Sequence, residues 1–77
     1  MLPLDQIDRA IPQNARVVDM GCGEGVIASY LARSPKRTVL GIDLNADRIP
    51  YSSQKNLKFQ NADISKYDPK AADAIVI

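Results

Sequence analysis

The chain has 77 residues, 45% of them hydrophobic, with ten basic and nine acidic side chains, one cysteine and no histidine. That length suits one small domain with a modest core, and a net charge of +1 gives no electrostatic footprint for nucleic acid or an anionic membrane surface. A lone Cys22 and the lack of histidine exclude an internal disulfide, a cysteine-cluster zinc site and a histidine general base within these residues.

Met1 to Asp5 has neither a basic leader nor an apolar core, and no apolar run approaches a bilayer span, so a soluble, cytoplasmic protein without a membrane partner is expected. Leu4, Ile7 and Ile11 recur at helical spacing, with Asp5, Asp8 and Arg9 on the other face, so residues 1–12 read as a leading helix ended by Pro12. Ala15 to Met20 reads as a buried strand centred on the β-branched Val17 and Val18. Gly21, Gly23 and Gly25 follow at alternate positions and lead into a helical pattern over Glu24 to Arg33, with Val26, Ile27, Tyr30 and Leu31 as its inward stripe. Strand, glycine turn and helix form a ligand-binding unit: glycine lets the backbone turn sharply, and the first helical N–H groups are expected to point into the space left open.

Ser34-Pro35 stops that helix, and Thr38 to Asp43 is a second strand that ends on a carboxylate. Asn45 is placed to cap a helix over Ala46 to Ile49, which Pro50 interrupts after about one turn. Ser52 to Asn56 is polar and loop-like, Leu57 to Gln60 a third strand, Lys66 to Lys70 a polar connection, and Ala74 to Ile77 a fourth apolar strand. Strands alternating with helical segments give β-α-β units over residues 15–77 and a parallel sheet. A parallel strand is normally covered on both faces, whereas no helix follows the fourth. The expectation is therefore the N-terminal part of a larger α/β domain.

Three acids fall at strand ends: Asp19, Asp43 and Asp63. Ligands in open α/β sheets bind outside the carboxyl ends of the strands, and Asp43 lies about twenty residues beyond the turn, where a ribose-binding acid belongs. Its two oxygens suit a ribose diol. Asp63 lies further along the same edge, and Leu44 and Ile64 offer apolar contact to a base. Each acid also has a plainer role. Asp43 could serve the next helix as a loop acid, Asp63 could be solvated, and Asp19 could accept backbone N–H groups that brace the turn. Cys22 reads as a small residue where the turn leaves little room, and Tyr30 as core.

Gly23 to Ala28 fits G-x-G-x-x-A, a form of the dinucleotide fingerprint, which keeps an NAD(P)-binding oxidoreductase open as an alternative. Read from Asp19, however, the stretch is Asp-x-Gly-x-Gly-x-Gly, and this resembles motif I of the class I S-adenosylmethionine-dependent methyltransferases. An acid ahead of the turn suits a cationic cofactor and repels a pyrophosphate. Gly41-Ile42-Asp43-Leu44 is similar to the family's second motif and Asn61-Ala62-Asp63-Ile64 to its third, while Asp73 to Ile77 resembles its fourth strand.

The resemblance implies a Rossmann-like three-layer α/β fold, of which this chain supplies four strands in the order 3-2-1-4, with the fourth as a bare edge. It implies S-adenosylmethionine as cofactor. Asp19 and the backbone of Gly21, Cys22 and Gly23 would lie beside the methionine part, Asp43 on the ribose hydroxyls, Asp63 by the adenine amino group, and Leu44 and Ile64 against the ring. The family places catalytic and acceptor-binding residues at and beyond the end of the fourth strand, so no catalytic residue is assigned here and the methyl acceptor is open. The bare edge at Ala74 to Ile77 raises a further alternative, a non-catalytic half-domain that self-associates through that edge into a homo-oligomer.

Overall fold

A computed structural model describes residues 4–45 and 54–76. The helix expected over Ala46 to Ile49 with its interruption at Pro50, part of the polar stretch from Ser52, residues 1–3 of the leading helix and Ile77 of the fourth strand lie outside the described residues. The elements run α1 (Leu4–Ala10), β1 (Arg16–Met20), α2 (Val26–Leu31), β2 (Thr38–Asp43), β3 (Leu57–Asn61), a single 3-10 turn (Ile64–Lys66) and β4 (Ala74–Val76). The four strands form one parallel sheet in the order β3-β2-β1-β4. Fold class and strand order are as the sequence led us to expect.

The register explains the core. Ala74, Val17, Val39 and Leu57 sit side by side across the sheet. On that face they meet Ile11, Ala15, Ala28, Leu31 and Ala32, forming one apolar cluster under α1 and α2. The next row on the same face, two residues along each strand, is Val76, Asp19, Gly41 and Phe59. A carboxylate thus stands in an otherwise apolar row beneath α2. The opposite face carries Ile75, Val18, Leu40 and Lys58, and Ile75 is 48% exposed there.

The helix is shorter than the Glu24 to Arg33 expected. Gly25 takes the left-handed conformation (φ 83°, ψ 16°) at its start, which leaves Glu24 in the turn. At the other end, Arg33 and Ser34 N–H groups donate to Tyr30 and Leu31 carbonyls in tightened turns. The inward stripe is also redrawn. Ala28 and Leu31 are fully buried, whereas Val26 is 61% exposed. Tyr30 is half-buried rather than core, with its ring 4.8 Å beneath the Arg33 guanidinium.

Among the described residues, the largest fully buried side chain is Arg37. Its guanidinium bonds the carbonyls of Asp8 (2.9 Å), Ile11 (2.6 Å), Pro12 (3.0 Å) and Leu31 (3.1 Å) and pairs with the Asp8 carboxylate. A planar fork with five N–H donors can satisfy that many acceptors at once, so Arg37 ties the C-terminal ends of both helices to the start of β2. Asn56 does similar work on the next loop, donating to Ala32 (2.9 Å), Ser34 (3.3 Å) and Arg37 (3.0 Å) carbonyls.

Candidate functional site

The residues singled out from the sequence gather at one edge, beyond the C-terminal ends of β1, β2 and β3. Contacts between the loops, rather than the strands alone, hold them together. The Gly23 N–H donates to Asp43 Oδ2 at 3.0 Å, and the Asn45 N–H to Asp43 Oδ1 at 3.0 Å. Two donors on two oxygens fix the plane of the carboxylate. The Ala62 N–H reaches the Asp43 carbonyl at 3.1 Å, joining the end of β3 to the end of β2.

Gly21 and Gly23 carry positive φ, 78° and 55°, which side-chain-bearing residues rarely adopt. Nothing lies within 4 Å of where a Gly23 Cβ would stand, so backbone conformation and not crowding is what requires glycine there. The Gly21 and Cys22 N–H groups both donate to the Ile42 carbonyl, at 2.7 and 2.9 Å, and the Gly25 N–H to Cys22 at 2.9 Å. The Gly21, Cys22 and Gly25 donors are thus spent on the end of β2 and on the turn itself, and that of Gly23 on Asp43. Of the first helical N–H groups, which were expected to face open space, that of Ala28 is bonded to Asp19 instead.

Asp19 is the buried acid of the site, 3% exposed. Burial pushes its carboxyl above the ordinary 3.8, the Ala28 N–H bonded to it acts in the opposite sense, and the nearby Asp43 charge pushes it up further. Ala28 belongs to the first turn of α2, where Gly25 supplies no side-chain cap. Asp19 therefore satisfies one of the orphan donors of that helix from a neighbouring strand. Its Oδ2 has no hydrogen-bond partner among the described residues. A buried carboxylate oxygen left unpaired is costly, and it marks the place where a cationic donor would be most favourable.

Cys22 is buried with its thiol pushed up to about 11, chiefly by desolvation and then by the charges of Asp19 and Asp43. Its Cβ would lie 3.1 Å from a Cβ placed on Gly41, in keeping with a position that admits only a small side chain. Asp63 caps the 3-10 turn: its Oδ1 accepts from the Ser65 N–H (2.9 Å) and hydroxyl (2.7 Å), and these bonds hold its carboxyl below the ordinary range. Leu44 and Ile64 are exposed, 63% and 42%, and the Ile64 Cδ1 comes within 3.9 Å of where a Gly21 Cβ would stand. Ile64 thus overhangs the glycine turn, and two exposed apolar side chains border the polar centre.

Two contributors escaped the sequence reading. Gly41 admits the Phe59 ring, whose edge lies 2.8 Å from where a Cβ would stand; a glycine inside a strand was the available signal. Asn61, in register with Asp43, carried none.

Among the described residues no helix is long and apolar enough to cross a membrane. Comparison with known proteins places the geometry in context. A family model described as a methyltransferase domain matches residues 17–77. The 235L protein of Invertebrate iridescent virus 6, named for a methyltransferase, is 36% identical, covering 84% of this chain and 27% of its own length. A trans-aconitate 2-methyltransferase of Mycobacterium tuberculosis is 29% identical over 80% of this chain and 24% of its own length. Among solved structures, coclaurine N-methyltransferase bound to N-methylheliamine and SAH matches with a TM-score of 0.74 at 23% identity, covering 84% of this chain and 22% of that one. The chain spans about a quarter of the length of these relatives. From motif I through β4, in order and in register, the chain belongs to the methyltransferase-domain family.

Proposed function

We propose that these residues form the S-adenosylmethionine-binding part of a methyltransferase. The observation that carries the reading is Asp19 Oδ2, a buried carboxylate oxygen without a partner among the described residues, beside a turn whose Gly21, Cys22, Gly23 and Gly25 N–H groups are committed within the protein. That pairing favours a ligand bringing positive charge and disfavours one bringing a pyrophosphate. The dinucleotide alternative is the poorer fit for the same reason.

When bound, the cofactor supplies an electrophilic sulfonium methyl group. The protein residues bind and orient it. Asp19 offers its unpaired oxygen to the cationic methionine part, and the bare backbone at Gly21 and Gly23 lets that part approach closely. Asp43, with its carboxylate plane set by Gly23 and Asn45, accepts from the ribose hydroxyls. Leu44 and Ile64 flank the base, and the Asp63 carboxylate, held by Ser65, faces its amino group. Holding the methyl carbon in line with an attacking nucleophile is where much of the rate of such a transfer originates. The acceptor is left open.

Calorimetric titration of the chain with S-adenosylhomocysteine and, separately, with NAD tests the reading. Heat of binding with the first and none with the second is expected; the reverse would overturn it.

A second reading rests on β4. Among the described residues its only strand partner is β1, and Ile75 beside that edge is 48% exposed. We propose that β4, Ala74–Val76, pairs with a second copy of the chain, joining two sheets across a two-fold axis. Sedimentation analysis giving a folded monomer at all accessible concentrations would sink it.

A further inference from the structure

We infer that Asn61 is a positioning residue for the ribose-binding acid, acting through one peptide plane of the turn after β2. This rests on the reading that Asp43 holds a ribose.

Asn61 closes β3, in register with Asp43 at the close of β2. Its side-chain amide lies against two carbonyls, those of Asp43 and Leu44, and we assign the nitrogen rather than the oxygen to that side, because an oxygen there would face only acceptors. The two N–H groups then serve two acceptors, Asp43 O at 3.3 Å and Leu44 O more closely. The Leu44 carbonyl lies just past the strand, where the ladder bonds stop.

The Leu44 carbonyl and the Asn45 N–H belong to the same planar, trans peptide unit and point in opposite directions. Asn61 grips the carbonyl end of that plane. The N–H end donates to Asp43 Oδ1 at 3.0 Å. Rotation of the plane would therefore break both bonds together, and with the Gly23 N–H on Oδ2 the carboxylate is held from two sides. No other side chain of this length supplies two N–H donors: serine offers one, and aspartate would set an acceptor against two acceptors.

Two measurements on Asn61→Ala and Asn61→Asp test the inference, with Asn61→Ser, which keeps one donor, as the milder variant if either fails to fold. Without any ligand, amide hydrogen exchange at Asn45 is expected to accelerate about tenfold relative to exchange in β1, as one held bond is released. Unchanged exchange at Asn45 in a folded variant overturns the clamp. With ligand, the variants are expected to bind S-adenosylhomocysteine about tenfold more weakly, yet bind its 2′,3′-dideoxy analogue as the unaltered chain does. An equal loss for both ligands means that Asn61 supports the fold generally and not the diol contact, and overturns the positioning role. If the unaltered chain binds neither ligand, the ribose reading fails while the exchange measurement still decides whether the clamp exists.

Discussion

Gly23 and Asp43, twenty positions apart in the chain, meet through a 3.0 Å hydrogen bond from the glycine N–H to the carboxylate. The glycine turn and the acid that ends β2 are therefore one structural object. Replacing Asp43 by Ala is expected to weaken S-adenosylhomocysteine binding roughly tenfold or more, since charge-assisted bonds to two hydroxyls are lost, and to loosen the Gly23 turn as well. Titration calorimetry gives the first effect and hydrogen exchange at Gly23 the second. Undiminished affinity would remove Asp43 from the site.

Asp19 sets stability against binding. With its carboxyl raised above 3.8 by burial, the folded chain binds more protons than the unfolded chain between 3.8 and the raised value. Stability therefore falls as pH rises through that interval, and the full penalty remains above it. Asp63, held low by Ser65, acts the other way and only below 3.8. Asp19→Asn is expected to flatten the Asp19 limb in urea titrations at stepped pH. At neutral pH it should stabilise the ligand-free chain by about 1 kcal/mol, or about 4–8 °C in Tm, while ligand affinity drops. A variant that loses stability at neutral pH would contradict this account of the unpaired oxygen.

Gly41→Ala places a methyl group 2.8 and 2.9 Å from two Phe59 ring carbons and 3.1 Å from the Cys22 Cβ. Overpacking of this kind costs about 1–3 kcal/mol. Trimming the ring with Phe59→Leu in the same chain is expected to restore part of the loss, and chemical denaturation of both variants measures the coupling. Additive losses would show that the ring does not lie where the glycine admits it.

Cys22 is a test of the local field. With its thiol raised from 9.0 to about 11, its thiolate fraction near pH 8 is roughly a hundredfold below that of an ordinary cysteine. Alkylation by iodoacetamide should be correspondingly slow in the folded chain, rise with pH, and reach the ordinary rate in urea. Fast alkylation of the folded chain at pH 8 would mean that the pocket around Asp19 and Asp43 is wetter than its burial implies.

The strands and the placement of Asp19, Asp43, Asp63 and Ile64 at their ends were legible because they rest on patterns local to each strand and turn, whereas the sheet order came from the resemblance to the methyltransferases and not from any local pattern. What those side chains touch was less so. Val26 falls on the helical stripe by spacing, but with Gly25 left-handed the helix begins at Val26, which stands 61% exposed. The Gly21 and Cys22 N–H groups could not be assigned from sequence, because their acceptor, the Ile42 carbonyl, lies on another strand. Asn56 and Asn61 read as loop and strand-end residues, since an amide serving several carbonyls looks no different in sequence from a solvated one. Arg37 gave no sign either: an arginine after Ser34-Pro35-Lys36 reads as surface, and only the converging carbonyls of two helices make its burial tolerable.

That guanidinium also bears on where a working unit can be cut. The family match starts at residue 17, yet four of the acceptors that satisfy Arg37 come from Asp8, Ile11 and Pro12. A version trimmed to the matched segment would keep every glycine and acid of the candidate site but lose those acceptors of Arg37, open its guanidinium to water, and strip Ile11 and Ala15 from the apolar cluster they help to form. The border drawn by resemblance and the border drawn by physics differ here, and α1 lies between them.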